Sequence, residues 1–409
     1  MDNEVLKQCA LDYHEFPSPG KLSIHVTKST DSQGDLSLAY TPGVAAPVIA
    51  IAENPEHAYR YTNKGNLVAV MTNGTAVLGL GDLGPLASKP VMEGKAVLFK
   101  RFADIDVFDI EIDADSVESF VETARRISPT FGGINLEDIK APECFEIERA
   151  LIEQLNIPVF HDDQHGTAIV IAAALLNALD LQGKTLSKAR IVCIGAGSAG
   201  IASMRLLAAL GANKKNMLLL DSHGVVHSGR DDLNPYKMEF SQDTDKRTLA
   251  DALIDADVFI GVAKSGLLTR DLLQRMAAKP VVFALSNPEP EIRPEEAYAS
   301  RNDLIIATGR SDYPNQVNNV LCFPYIFRGA LDVRATRINQ AMNIAAVEAI
   351  RQLVLEPVPE IVKANYPSVT SWEFGPHYII PNPVDPRLRE RVSKAVAEAA
   401  IASGVAQLF

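Results

Sequence analysis

The sequence predicts an α/β protein of two domains, the second built on a doubly wound parallel sheet. Apolar runs of strand length alternate with longer segments of helical periodicity over most of the chain, as this fold class requires. A glycine-rich turn at 195–200 stands between an apolar run and a helix-like segment. The 409 residues, 47% of them hydrophobic, are enough for two or three cores. We therefore expect a smaller N-terminal α/β domain at 1–160 and a second domain at 161–409.

Composition and charge exclude several classes of partner. The net charge of -12 opposes binding to nucleic acid or to an anionic membrane. The four cysteines stand far apart without a CxxC pair, which is typical of reduced thiols in the cytoplasm. The start of the chain lacks the features of a signal peptide, and the longest apolar run, 168–176, is shorter than the about 20 residues that cross a bilayer. We expect a soluble cytoplasmic protein.

Two side chains in the N-terminal half are candidates for proton transfer. Tyr40 precedes a Thr-Pro-Gly turn, where a tyrosine has either a packing or a catalytic role. Lys95 precedes the apolar run 96–99. A lysine at such a place usually extends to solvent, but a desolvated lysine beside carboxylates becomes a proton-transfer group.

The segments around these residues predict strands and one compact turn. Residues 66–72 and 75–78 have the pattern of strands or buried segments, and 105–112 alternates like a strand whose acids face solvent. The segment 79–84 matches G-x-G-x-x-G in letters. We interpret it as a compact turn because Pro85 follows and we expect no long apolar helix after it.

Two acidic pairs end apolar runs and indicate a metal site. Glu137 and Asp138 form the first pair, and Asp162 and Asp163 form the second. Buried carboxylates are costly unless a positive charge compensates them, and Mg²⁺ or Mn²⁺ prefers oxygen ligands. The alternative is that both pairs cap helices or face water. Helices are expected at 116–127 and 142–155, and an apolar helix at 164–179 should be buried.

The turn at 195–200 is the strongest local signal in the chain. Strand 189–194 enters it, helix 201–210 leaves it, and strand 216–220 ends at Asp221, 21 residues after the last glycine of the turn. This is the Rossmann-type pattern that places a dinucleotide pyrophosphate at a helix N-terminus. The residues predicted to bind the cofactor are Gly195, Ala196, Gly197, Ser198, Ala199, Gly200, Asp221 and Ser222.

The sequence leaves the choice between NAD and NADP open. Asp221 favours NAD because it accepts hydrogen bonds from the ribose and repels a 2′-phosphate. Ser222 could donate to such a phosphate, and Lys237 or Arg230 could neutralise it.

Three further strands, at 257–261, 280–285 and 303–307, complete the predicted sheet. The loops after such strands bind ligands, which makes Asn287, Asn318 and Asn319 candidates for contact with a small substrate. Turn formation is an equally good explanation for these asparagines. Two C-terminal helices are expected at 337–355 and 385–404, the second capped by Asp385 with Pro386 at its first position.

Taken together, the motifs resemble the malic enzymes of the short bacterial type over nearly the whole chain. The resemblance is to the malic half of bacterial enzymes that continue into a phosphotransacetylase-like domain, and whether this chain is part of such a hybrid is open. The matching motifs are Tyr40-Thr-Pro-Gly43, Gly79-Leu-Gly-Asp-Leu-Gly84, Gly132-Gly-Ile-Asn-Leu-Glu-Asp138, His161-Asp-Asp-Gln-His-Gly-Thr167, Ser286-Asn-Pro288 and Asn318-Asn319.

The resemblance implies oxidative decarboxylation of L-malate to pyruvate and CO₂ with NAD or NADP. It implies a general base, Lys95, tuned by Asp162, and a general acid, Tyr40. The implied ligands of Mg²⁺ or Mn²⁺ are Glu137, Asp138 and Asp163. The implied contacts to malate are Asn287, which also borders the cofactor, and Asn319, with Asn318 beside it.

One departure from the family pattern concerns the substrate carboxylate. The larger malic enzymes have an arginine where this chain has Ala76, so the asparagines, Thr75 or a neighbouring subunit must hold that carboxylate. Related enzymes are usually dimers or larger, and the N-terminal segment is a candidate for exchange between subunits. The oligomeric state and any effectors cannot be predicted from the sequence.

Two other functions stay open. A malolactic lyase would use the same residues, keep NAD bound and release lactate. A non-catalytic dinucleotide-sensing module would bind the cofactor without turnover. A metal-dependent hydrolase is disfavoured, because hydrolysis has no use for a nicotinamide.

Overall fold

The computed structural model describes residues 3–366, 369 and 372–408. The chain begins with an extended N-terminal segment in which no residue from 4 to 66 is buried. Its helices are α1 (Asn3–Glu15), α2 (Gln33–Ala39), α3 (Ala45–Glu53) and α4 (Ala58–Tyr61).

A four-stranded parallel sheet follows, in the order β2-β1-β3-β4. Strand β1 is buried along its full length, as expected for a central parallel strand. The helices between the strands pack on this sheet and connect each strand to the next. The elements are β1 (Leu67–Thr72), α5 (Pro85–Ala103), β2 (Asp106–Glu111), α6 (Val117–Ile127), β3 (Gly133–Leu136), α7 (Glu143–Gln154) and β4 (Val159–His161).

Three expectations for this region were wrong, two of them around the glycine turn. Residues 75–78 form neither a strand nor a buried segment: only Val77 is buried, and it makes an isolated bridge to Gly81. A 19-residue helix, α5, begins directly after Gly84. The sequence pattern hid it because Pro85 stands at the first position, where no backbone N–H is needed, and because apolar residues such as Leu86 also lie on its exposed side, which obscures the helical pattern.

The third concerns the acids of β2, which do not all face solvent. Asp106 is half exposed, but the side chains of Asp109 and Glu111 are only 11% and 15% exposed. Lys89 of α5 compensates them, with its ammonium 2.5 Å from Asp109 and 3.6 Å from Glu111.

A buried helix links the first sheet to the second. It starts with a π-helical turn, Asp162–Gly166, and continues as α8 (Thr167–Gln182), which ends three residues beyond the predicted helix and is capped by Gly183. The combined helix, Asp162–Gln182, is long and apolar enough to cross a membrane by length and composition. Because 72% of its most apolar window is buried inside the protein, it is the central helix of the core.

The second sheet has the order β10-β9-β8-β5-β6-β7, parallel except for the short edge strand β7. The strand order reverses at β5, as in doubly wound folds. The elements are β5 (Ile191–Ile194), α9 (Ser198–Ala209), β6 (Met217–Asp221), β7 (Gly224–Val225), α10 (Pro235–Met238), α11 (Leu249–Ala252), β8 (Val258–Gly261), α12 (Arg270–Gln274), β9 (Val281–Ala284), α13 (Pro294–Ser300) and β10 (Ile305–Thr308).

Among the described residues of the C-terminal part, four α-helices complete the fold: α14 (Phe323–Asp332), α15 (Gln340–Leu353), α16 (Glu360–Asn365) and α17 (Arg387–Ala402). Helix α17 begins two residues after Asp385, whose carboxylate accepts the backbone N–H of Arg387 at 3.0 Å. Helix α14 returns to the first sheet, where Phe327 packs on Phe99 and on Phe160 of β4. Strand β4 spans residue 160, so the predicted division there lies within an element of the first sheet.

Candidate active site

The two acidic pairs meet because β3 and β4 are neighbours in a parallel sheet. Glu137 and Asp138 follow the carboxyl end of β3, and Asp162 and Asp163 follow that of β4. Parallel strands end at the same edge, so both pairs extend from one edge of the sheet. The tertiary structure thus joins carboxylates that are about 25 residues apart in sequence.

Three of these acids form a site suited to a divalent cation. Glu137, Asp138 and Asp163 each place one oxygen within 4.8 Å of the other two. Burial and the neighbouring acids raise the pKa of each above its ordinary value. The Oδ2 atom of Asp138 is buried without a hydrogen-bond partner among the described residues. Hard oxygen donors held this close fit Mg²⁺ or Mn²⁺.

The backbone around the acids is fixed by close contacts. The carboxylate of Asp163 accepts the backbone N–H of Asp138 at 2.8 Å. Asp138 has a left-handed backbone, φ 54°, and its carbonyl accepts the N–H of Ala76 at 2.9 Å. A Cβ atom at Gly166 would lie 1.8 Å from Oδ1 of Asp162, so only glycine allows the π-helical turn to wrap around that carboxylate.

Lys95 lies inside α5 and joins the acid cluster. Its ammonium is 2.7 Å from Asp162 and 2.9 Å from Glu137, and its side chain is 8% exposed. Burial lowers the pKa of Lys95, but the charges of Asp162, Glu137 and Asp163 outweigh it and hold the pKa above its ordinary value. The ammonium also lies 4.3 Å from the ring centroid of Phe323. Lys95 is therefore a charged, enclosed group rather than a solvent-exposed lysine.

Asn135 belongs to the site, although the sequence motifs did not single it out. It is fully buried on β3, and its amide donates to Glu137 at 2.9 Å. Two residues apart on a strand, Asn135 and Glu137 share one face of the sheet. An asparagine two positions before a candidate ligand in a buried strand was the available signal.

The glycine turn 79–84, which follows β1 of the first sheet, contacts the loop after β9 of the second sheet. A Cβ atom at Gly79 would lie 2.5 Å from the carbonyl oxygen of Asn287, in the loop after β9. Just before the turn, the backbone N–H of Ala76 donates to the carbonyl of Asp138 at 2.9 Å. The segment 76–84 thus contacts both Asp138 and the Ser-Asn-Pro loop of the second sheet.

The dinucleotide turn has the geometry that a pyrophosphate needs. A Cβ atom at Gly200 would lie 1.8 Å from the carbonyl of Gly195, so α9 can approach β5 only with glycine there. The space above Gly197 is open, since a Cβ atom there would meet no other atom within 4 Å. Helix α9 begins at Ser198, so its first N–H groups, including that of Ala199, face this space. The residues fit a bound dinucleotide.

Asp221 is not free to accept hydrogen bonds from a ribose. Arg230 bonds both of its carboxylate oxygens, at 2.8 and 2.9 Å, and Lys237 bonds it at 2.7 Å. Burial works against the charge, but these two cations hold the pKa of Asp221 at about 2. Ser222, the next residue, is exposed. The crevice beside Asp221 therefore presents the two cations together with two acids, because Asp232 also bonds Arg230, at 2.6 and 2.7 Å.

The remaining predicted residues have different environments. The hydroxyl of Thr75 accepts the backbone N–H of Lys140 at 2.9 Å and donates to Asn73 at 2.7 Å. The side chain of Asn318 caps the turn 319–321 by accepting the N–H of Val320, so it does form a turn. Asn319 lies against the π-helical turn, its Cβ 3.3 Å from a Cβ position at Gly166.

Two predicted residues lie at exposed positions. Asn287 is exposed in the loop after β9, beside the glycine turn. Tyr40, at the C-terminal end of α2, is 75% exposed, and its hydroxyl makes no hydrogen bond to the described part of the chain. The structure thus groups Lys95 and the acids but leaves Tyr40 on the surface.

Comparison with known proteins identifies the family that the sequence motifs resemble, over most of the chain. Residues 19–152 match the family model of the malic enzyme N-terminal domain, and residues 164–373 match that of the malic enzyme NAD binding domain. An NADP-dependent malic enzyme of Halomonas elongata is 64% identical over 99% of this chain and 96% of its own. A bifunctional malic/malolactic enzyme of Bacillus subtilis is 50% identical over 98% of this chain and 95% of its own.

Other relatives are longer, and a solved structure shares the fold. The chain spans 53% of an NADP-dependent malic enzyme of Rhizobium meliloti, at 58% identity. The crystal structure of malic enzyme from Pyrococcus horikoshii superimposes with a TM-score of 0.90 at 44% identity, covering 99% of this chain and 92% of that one. The arrangement of acids, lysine and dinucleotide turn described above is thus carried by a chain that belongs to the malic enzyme family.

Proposed function

We propose that the protein catalyses the oxidative decarboxylation of L-malate to pyruvate and CO₂, with reduction of NADP⁺ and dependence on a divalent cation. The observation that carries this proposal is the enclosed Lys95 between Asp162 and Glu137, beside three acids whose oxygens converge within 4.8 Å. Such a site supplies a proton-transfer group next to a cation, and the dinucleotide turn supplies the hydride acceptor.

Glu137, Asp138 and Asp163 would hold the cation. When bound, Mg²⁺ or Mn²⁺ polarises an oxygen of the substrate and lowers the pKa of a hydroxyl there. These three acids would hold the cation at the carboxyl edge of the first sheet, where β3 and β4 end. We infer that Asn287 and Asn319 contact the malate.

Lys95 would move the proton of the C2 hydroxyl. It shares Glu137 with the proposed cation site, so its ammonium loses part of that partner's charge when Glu137 acts as a ligand. The pKa of Lys95 then falls toward that of a proton-transfer group. Asp162, 2.7 Å away, accepts a hydrogen bond from the ammonium and holds the lysine in place.

Protonation of C3 after loss of CO₂ needs an acid, for which we propose Tyr40. Its hydroxyl is accessible, and it follows a segment rich in exposed apolar side chains, among them Val5, Tyr13 and Phe16. We infer that this segment is covered by a second copy of the chain in a cytoplasmic homodimer.

We infer a preference for NADP over NAD. A 2′-phosphate would meet Arg230 and Lys237, which Asp221 holds at the carboxyl end of β6. The name of the Halomonas elongata relative, at 64% identity, agrees with this preference.

The deciding assay follows absorbance at 340 nm with L-malate and Mn²⁺, in parallel with NADP⁺ and NAD⁺. We expect turnover that is faster with NADP⁺ and that EDTA abolishes. Absence of turnover with both cofactors, in a protein that still binds dinucleotide, would refute the proposal and favour a sensing module.

A malolactic activity is the second candidate, because the Bacillus subtilis relative carries that name at 50% identity. It would release lactate and CO₂ from malate with no net change at 340 nm. An enzymatic assay of lactate in the same reaction mixtures separates the two products.

A further inference from the structure

Glu148 is a buried carboxylate that belongs neither to the acid cluster nor to the surface. It lies on α7, is 6% exposed, and is not among the three acids that converge on the candidate cation site. Its charge is compensated from the segment that follows β4. A buried ionised carboxylate of this kind persists only where specific partners hold it.

The carboxylate of Glu148 bonds both ends of the π-helical turn. One oxygen accepts the backbone N–H of His161, the residue before the turn, at 2.9 Å. The ring Nε2 of His165, the fourth residue of the turn, lies 2.9 and 3.0 Å from its two oxygens. The imidazole also packs on Phe160, with ring centroids 5.4 Å apart. A single side chain of α7 therefore holds His161 and His165, on either side of Asp162 and Asp163, at a set separation.

Asp162 and Asp163 stand between these contact points. Asp162 bonds Lys95 at 2.7 Å, and Asp163 bonds the backbone of Asp138 at 2.8 Å. A change in the turn would move a candidate cation ligand and the partner of the lysine together. Neither Glu148 nor His165 is among the groups that would touch substrate.

We propose that Glu148 and His165 form a positioning pair that sets the geometry of the Asp162–Asp163 turn for cation binding. The pair acts through the backbone at His161 and through the ring of His165. Partners that orient metal ligands without touching the metal typically change metal affinity about 10–100-fold when they are removed. This inference rests on the proposed cation site.

The test is a titration of the full-length protein with Mn²⁺ in the absence of substrates, followed by the electron paramagnetic resonance signal of free Mn²⁺. Glu148→Ala removes both hydrogen bonds and should raise the Kd for Mn²⁺ about 10-fold or more. Glu148→Gln keeps an oxygen for the N–H of His161 and should recover part of the affinity. Glu153→Ala, on the exposed side of the same helix, is the matched control and should bind as the wild type.

His165→Phe is a second variant that keeps a ring against Phe160 but cannot bond Glu148. It should also raise the Kd for Mn²⁺. In the double variant with Glu148→Ala, the loss of binding free energy should be smaller than the sum of the losses in the two single variants, because the two residues act as one unit. NADP⁺ binding, measured by fluorescence, should not change in any of them. High Mn²⁺ should restore turnover in the variants.

Two results would overturn the inference. If Glu148→Ala and His165→Phe bind Mn²⁺ within about twofold of the wild type, below the range expected for such partners, the pair does not position the turn. If the variants lose both Mn²⁺ and NADP⁺ binding, and their circular dichroism spectra show a loss of helical structure, the pair is required for folding in general and has no specific role in the turn. A wild type that does not bind Mn²⁺ would instead refute the proposed cation site itself.

Discussion

At Lys95, three carboxylates act on one ammonium group. Burial alone favours the neutral amine, but Asp162, Glu137 and Asp163 reverse that effect and hold the pKa of Lys95 above its ordinary value. From the sequence we expected a desolvated lysine beside carboxylates to serve as a proton-transfer group; the carboxylates lie beside it, and they keep it charged. A charged lysine then becomes a base only when the acids around it take another partner.

Replacing Lys95 with Ala should reduce kcat for malate oxidation by about 10²–10⁴-fold, because the group that moves the hydroxyl proton is lost. The Kd for NADP⁺ should stay at the wild-type value, since Lys95 lies on a helix of the first sheet and the dinucleotide turn follows β5 of the second. Steady-state kinetics at 340 nm and a fluorescence titration measure the two quantities. The matched control is Lys89→Ala, which removes an ion-paired lysine of the same helix. An unchanged kcat in the Lys95 variant would exclude the assigned role.

Replacing Lys237 with Ala should raise the KM for NADP⁺ about 10-fold and leave that for NAD⁺ nearly unchanged, because a charge-assisted bond to a 2′-phosphate is lost. Asp221 then keeps only Arg230 of its two cationic partners. Lys214→Ala removes another ion-paired lysine beside the same sheet and serves as the control. Equal effects on both cofactors would show that Lys237 does not contact the phosphate.

The glycine turn 79–84 shows what an element adds beyond its residues. Its letters resemble a dinucleotide loop, and we set it apart from one for lack of a following helix, although α5 follows it directly. What separates it from such a loop is its position. It follows β1 in the first sheet, and its first residue, Gly79, lies against the carbonyl of Asn287.

Replacing Gly79 with Ala should raise the KM for malate about 10-fold and lower kcat, while the Kd for NADP⁺ changes little, because a small misplacement of a positioning loop is costly to catalysis. The backbone of Gly79 lies outside the left-handed region, so the effect comes from the Cβ atom, which would approach the carbonyl of Asn287 to 2.5 Å. The two loops must move apart. Gly65→Ala, where a Cβ atom meets only an ordinary contact at 3.5 Å, is the control. Unchanged malate kinetics in the Gly79 variant would contradict a role for this contact.

For the protein as a whole, the acid cluster makes stability depend on pH and on metal. The raised pKa values of Glu137, Asp138 and Asp163 mean that the folded, metal-free protein holds protons that the unfolded chain has lost above a pKa of about 4. Folding stability from these groups therefore falls as pH rises through the raised values. A cation that displaces the protons should reverse this loss.

Mn²⁺ at about 100 times its Kd should stabilise the protein by about 2.7 kcal/mol, seen as a higher Tm in calorimetry. At that same Mn²⁺ concentration, the gain should be larger at about pH 7.5 than at about pH 5.5, because protons bound to the acids at the lower pH raise the Kd for the cation. Asp163→Asn should abolish it. A Tm that Mn²⁺ does not change at either pH would contradict the proposed cation site.

From the exposed side chains of the N-terminal segment we predict that the protein self-associates. Val5, Cys9 and Tyr13 follow each other at four-residue spacing on one face of α1, and all three are exposed. Val5→Asp with Tyr13→Asp should reduce the mass measured by light scattering from about twice 44.3 kDa to about that of one chain. Lys7→Asp, on the opposite face, should leave the dimer intact. A wild type of monomeric mass would refute the inference.

The sequence by itself determined the local elements and the family. The periodicities of β1, α6, α7, α8 and the five parallel strands of the second sheet are visible because each depends on contacts within a few residues or on burial on all sides. The short antiparallel edge strand β7 was not predicted. The motifs around the acids and the dinucleotide turn were enough to indicate a malic enzyme, and the family models confirm it. Helix α5 was not predicted, because the residues at its start show no helical periodicity of apolar side chains.

Only the tertiary structure decided how charges meet. Lys95 and Asp162 are 67 residues apart, and Gly79 meets Asn287 from the other sheet, so no local pattern reports either contact. The same holds for Glu148, whose role depends on α7 lying against the turn after β4. The interaction energy of two buried charges depends on the distance between them and on their exposure to solvent. Both are determined only when the sheets and helices have packed.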